Sequence, residues 1–215
     1  MRAAKASPRQ FVRPPTAQTP ARHTEETQSW RTTLAFSAAF FIGYLVGIFA
    51  GKWDASAFGT ALAAYYMDTQ HFASYWAVLS GLLAAVFLQA SFVMLCGFHA
   101  CGIAFLAAFF AAKGALMGLC AACVFSAGGA KALIIHWLLT CLPDLSTFLL
   151  LLWLALPTCG VCDTLFRCVF GGTAHISLSQ SAKRLLLRYL MVLCIGVPCC
   201  LIGAGAAVLF AGVLL

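Results

Sequence analysis

Charge is what this sequence has least of. Only 9% of its 215 residues are charged, and Asp and Glu together number 6. A soluble domain carries roughly a quarter charged residues and under half apolar ones, whereas 63% are hydrophobic here. A soluble globular domain is therefore excluded. The net charge of +7 does not point to nucleic acid, because that footprint needs a basic face on a soluble fold. Catalytic patterns are missing as well: there is no His-Glu-x-x-His, no Gly-x-Ser-x-Gly and no P-loop. The histidines (His23, His71, His99, His136 and His175) are dispersed, and beyond Glu25 and Glu26 the acidic residues are single and far apart. The sequence predicts no enzyme, no catalytic, cofactor-binding or metal site, no cofactor and no nucleic-acid partner.

What is present is an all-α polytopic membrane protein. A crossing needs about twenty apolar residues at 1.5 Å each, and five stretches qualify: 33–51, 75–95, 102–124, 132–165 and 189–214. The fourth is long and is expected to break at Pro143. Residues 1–31 differ from the rest, with Arg2, Lys5, Arg9, Arg13, Arg22 and Arg31 among Pro8, Pro14, Pro15 and Pro20. Such a segment has too little apolar surface to order itself, and it reads as a disordered basic tail preceding a helical domain over 32–215. A secretory signal is the rival reading, but its basic region is too long and no clear cleavage site follows. Between 52 and 74 the chain turns polar, and Phe58, Leu62, Tyr65 and Tyr66 at helical spacing predict a short interfacial helix.

Lys and Arg placement sets the orientation, because positive loops stay cytoplasmic. The tail holds six and the 167–188 loop holds Arg167, Lys183, Arg184 and Arg188, which makes ten of the 13 on one side. Lys52 and Lys131 lie opposite. Five crossings, with the N-terminus cytoplasmic and the C-terminus outside, satisfy every loop. A full helical hairpin in 132–165 would put the second basic loop outside.

Within the spans, Lys113 falls near the midplane, where a charge costs on the order of 3 kcal/mol and is by default a functional hypothesis. Asp144, directly after Pro143, reaches similar depth and is the expected partner. The two form a structural ion pair, or Lys113 snorkels to the interface, or they are part of a solute path. A proline removes a backbone donor, and a break at that depth is tolerated only where protein or water surrounds it. Small residues recur along three spans: Gly43, Gly47 and Gly51; Ala107, Ala111, Gly114, Gly118 and Ala122; and Gly203, Ala207 and Ala211. Such faces let helix backbones approach, so the five-member stripe is expected to close a compact bundle or to dock another protein's helix. Cys120–Cys123 and Cys159–Cys162 have Cys-x-x-Cys spacing but fall towards opposite ends of their spans. They read as small apolar residues.

The run Phe110-Ala-Ala-Lys-Gly-Ala-Leu-Met-Gly118, the Leu142-Pro143 pair and the basic stretch ending Leu187-Arg188-Tyr189 before a small-residue helix together resemble the stage II sporulation protein M family. The likeness covers roughly residue 34 to the C-terminus. It implies a non-enzymatic scaffold in a bacterial cytoplasmic membrane, at the mother-cell septum. There it would recruit two peptidoglycan-degrading partners, stage II sporulation proteins P and D, during engulfment. It also implies that the Gly114 and Gly118 stripe docks a partner helix and that 52–74 is an outer contact surface. From the residues alone, a small-solute transporter or the membrane subunit of an export system, using Lys113 and Asp144, is the other expectation.

Overall fold

In lipid every backbone amide and carbonyl must be satisfied within its own segment or by protein, so long Leu-, Ala- and Phe-rich runs can only become helices. The computed structural model describes residues 21–53, 74–170 and 178–214, together with positions 61 and 64. Its elements are α1 (Ala21–Trp53), α2 (Tyr75–Cys96), α3 (Gly102–Phe170) and α4 (Leu178–Leu214). Five helical segments among the described residues are long and apolar enough to cross a membrane: Ser29–Lys52, Tyr75–Cys96, Gly102–Leu138, Pro143–Phe170 and Gln180–Leu209. The chain is a multi-pass, all-α membrane protein.

Two features turn the chain. Between α2 and α3 a tight turn is closed by amides donating along the chain: Gly97 to Met94 O (3.0 Å), His99 to Cys96 O (3.2 Å) and Gly102 to His99 O (2.9 Å). A Cβ at Gly102 would fall on the Cys96 carbonyl, so the turn needs a residue without a side chain there. Within α3 the backbone leaves helical values at Gly129, with φ 67° and ψ −160°, a region essentially reserved for glycine. There the chain doubles back. The arms 102–128 and 130–170 run antiparallel, with Gly102 beside Cys162 and Phe110 beside Phe148. This reversal joins the third and fourth crossings.

The core sits where the arms of α3 meet the other helices. Phe36, Leu106, Phe110, Leu151, Leu154, Leu185 and Val192 are buried in one cluster, and Leu79, Val86, Cys200 and Ala204 form a second between α2 and α4. Outward-facing side chains are also large and apolar, including Phe41, Leu45 and Phe49 on α1 and Leu88 and Leu95 on α2. No water-exposed monomer could keep such faces on every helix. Lipid covers them.

Three expectations are corrected. The basic tail was expected to run to residue 31, yet α1 begins at Ala21. The last proline of the tail is Pro20, and from there to Trp53 nothing in the sequence removes an amide donor. The fourth helix does not break at Pro143, since helical dihedrals persist through Pro143 and Pro157. Proline removes one donor, and neighbouring helices and Ser or Thr hydroxyls can absorb that in a membrane. Here Pro143 is buried and α4 packs against its ring, 3.0 Å from where a Cβ on Gly203 would stand. The 167–188 stretch is not mainly a loop. α3 runs to Phe170 and α4 starts at Leu178, so Lys183, Arg184 and Arg188 ride on helix. The leucines between them allow this: Leu185 is buried against the turn at Gly97. Residues 1–20, and the interfacial helix expected around Phe58, Leu62, Tyr65 and Tyr66, lie outside the described residues.

The basic groups still sort by end. Arg31, Arg167, Lys183, Arg184 and Arg188 lie at the end that carries the α2–α3 turn, and Lys52 and Lys131 lie at the other. The charge rule makes the first end cytoplasmic.

Candidate functional site

The stripe of small residues on α3 decides how α1 is seated. A Cβ on Gly114 would meet the Phe40 carbonyl, and one on Gly118 the Tyr44 carbonyl. The reverse holds from α1, where Gly43 faces the Ala111 carbonyl and Gly47 that of Ala115. At Gly51 the Ala122 methyl would lie 2.7 Å away. Contacts advance four residues on each helix together, so α1 and the 102–128 arm run parallel, backbone against backbone. Ala107 packs at the edge of the main core. Of the stripe Ala107, Ala111, Gly114, Gly118 and Ala122, the last four lie against α1. The expectation that it docks a partner's helix is corrected, because α1 of the same chain occupies it.

Seating α1 so closely brings Phe40 and Tyr44 to the edge of a cavity of about 370 Å³. Its far wall is the other arm of α3, which contributes His136, Trp137, Thr140, Asp144, Leu145 and Phe148. Leu116 and Met117 of the first arm close it from the side, and α2 supplies Gln89. Phe40 and Phe148 pack at 4.5 Å between centroids and mark its inner limit. Phe41, Leu116, Trp137 and Leu145 line it too, yet each is more than half exposed. The cavity therefore opens sideways towards lipid and not only towards an aqueous end.

Lys113 lies in this cavity, eleven residues after Gly102, or about 17 Å along the helix. Its ammonium donates to Gln89 Oε1 at 2.8 Å. Asp144 faces the same cavity and interacts electrostatically with Lys113. The expected direct ion pair is not what forms, because the one ion pair within 4.0 Å among the described residues is Asp163–Arg167. The hairpin at Gly129 explains the shared depth, since Lys113 lies sixteen residues before it and Asp144 fifteen after. Thr140 lies one turn nearer that hairpin, its hydroxyl donating to the His136 carbonyl at 2.9 Å.

Sequence reasoning found Lys113 and Asp144 but not Gln89, Tyr44, His136 or Thr140 as their companions. One signal was present: Gln89 is the only amide side chain in α2, and a polar group at that depth is rarely idle. Cys162 donates its thiol to the Cys96 carbonyl (3.2 Å) at the basic end, far along the arms from Cys120 and Cys123. No protein-family model, curated protein or solved structure matches the chain.

Proposed function

We propose that this protein is a non-enzymatic membrane scaffold that recruits peptidoglycan-degrading partners to a septal membrane during engulfment in endospore formation. The reading starts from the resemblance carried by 110–118 and Leu142-Pro143. One observation supports it: both stretches, distant in sequence, take part in packing the helices together. Phe110 stacks on Phe36 and meets Phe148 edge-on, Gly114 and Gly118 seat α1, and Pro143 rests on Gly203. Residues that shape a bundle in this way suit a protein whose task is to hold a defined outer surface for others.

With the small-residue stripe covered, partner contacts belong to the lipid-facing sides and the outer end. The test is photocrosslinking in sporulating cells from Phe41, Phe49 and Leu88, with buried Phe110 as the control. Recovery of stage II sporulation proteins P and D from the exposed sites alone is expected. Recovery of neither from any site overturns the scaffold.

The cavity favours a second reading, a small-solute transporter or the membrane subunit of an export system, because it places Lys113 and Asp144 in one space at membrane depth. Its test is flux in vesicles. Loss of a solute flux in Lys113→Met with crosslinking intact supports transport, and absence of any flux in the unaltered protein removes it.

A further inference from the structure

The cavity beside Lys113 has a chemistry that selects its occupant. It holds one residue of each formal charge, Lys113 and Asp144, which interact electrostatically but form no ion pair within 4.0 Å. A ligand bearing a single charge would satisfy one of them and leave its own charge unbalanced at a depth where unpaired charge is costly. A ligand bearing both charges leaves nothing unbalanced. Gln89 turns its carbonyl oxygen to Lys113, which leaves its amide hydrogens to donate to an anionic group beside that ammonium. On the opposite wall Asp144 shares the lining with Phe148 one turn along the same helix, an aromatic ring of the kind that attracts cations. Beyond Tyr44, Cys120, His136 and Thr140 the remaining lining is apolar, and about 370 Å³ is at the small end of ligand pockets.

We infer that this cavity binds a small zwitterion with an apolar body: the anionic group at Lys113 and Gln89, the ammonium at Asp144, and the apolar part among Phe40, Leu116 and Phe148. A free apolar amino acid and the headgroup of a zwitterionic lipid share this chemistry, and the sideways opening admits either. The inference rests on the cavity alone. Binding without flux would leave it standing while the transport reading fails.

The test is calorimetric titration of the full chain in detergent with phenylalanine, with phenethylamine (cation only) and with 3-phenylpropionate (anion only). Phenylalanine is expected to bind at least roughly tenfold tighter than either single-charge analogue. Asp144→Asn should lower its affinity by a similar factor while narrowing the gap to 3-phenylpropionate, and Lys113→Met should narrow the gap to phenethylamine. Leu116→Trp, at a lipid-exposed rim position, blocks the space with both charges in place and should abolish binding even if the charge variants fail to fold. A second arm uses phosphatidylethanolamine against phosphatidylglycerol in nanodiscs. Retention of the former alone, lost in Leu116→Trp, with no phenylalanine binding, assigns the zwitterion to a lipid. Equal affinity for the three soluble probes, or no binding of phenylalanine or of either lipid, overturns the inference.

Discussion

An ammonium at mid-depth in a bilayer needs oxygen ligands, and Gln89 is the one that Lys113 reaches. Hydrogen bonds to a charged group contribute about 1.5–3 kcal/mol, so this contact is worth more to the bundle than any single apolar pair on its lipid face. Gln89→Leu should lower stability by about 2 kcal/mol, while Gln89→Glu, which keeps an acceptor of opposite charge, should stay close to the unaltered protein. Thermal unfolding in detergent reads both. Equal midpoints for Gln89→Leu and the unaltered protein would mean that Lys113 is held by something other than this amide. The Tyr189 and Ser91 hydroxyls, 2.9 Å apart, join α4 to α2 on the same principle. That bond links two neutral groups, so its loss should cost nearer 1 kcal/mol.

Glycine spacing at the level of helix pairs separates residues that look alike in the sequence. Gly47, Gly114 and Gly118 each face a neighbouring backbone, whereas Gly81 and Gly205 have nothing within 4 Å of a would-be Cβ. Leucine at Gly118 must push α1 outward, and overpacking of this kind costs about 1–3 kcal/mol or more. Alanine at Gly81 or Gly205 meets open space and should be neutral, or stabilising by up to about 1 kcal/mol through helix propensity. Unfolding midpoints that rank Gly118→Leu far below Gly81→Ala and Gly205→Ala confirm the parallel α1–α3 contact, and three similar midpoints refute it. The crossings themselves were legible in the sequence, because length and hydropathy alone define them. So was the four-residue spacing of the stripe. Its partner was not legible, since a small-residue face shows that a backbone comes close without showing whose. Pro143 misled for a related reason: a missing amide donor is visible in sequence, but the packing of α4 against the proline at Gly203 is not. The cavity escaped notice because its members lie on three helices, and only the reversal at Gly129 brings Asp144 to the depth of Lys113.

For the whole molecule, the decisive quantity is the number of times α3 crosses the bilayer. The arm 130–170 is 41 residues, or about 60 Å of helix, twice the thickness of the hydrocarbon core. It could be accommodated by overhang or by a second hairpin, and the two place Lys183 on opposite sides. The continuous helix through Pro143 and Pro157 requires overhang. Gly102 meets Cys162 rather than a later residue, so the overhang falls at the basic end, where the Asp163–Arg167 ion pair (3.0 Å) and the Arg188 guanidinium, 5.8 Å over the Trp153 ring, can sit among headgroups. A single cysteine at Lys131 or at Lys183, in a background with the native cysteines replaced, then gives opposite results with a membrane-impermeant maleimide. Lys131→Cys should react in intact cells and Lys183→Cys only after the membrane is opened. Arg31→Cys should behave like Lys183→Cys, because α1 starts at the same end. If Lys131→Cys and Lys183→Cys react from the same side, α3 turns once more than its backbone does here. The basic residues would then be divided between the two faces, and the charge asymmetry that orients the protein would be lost.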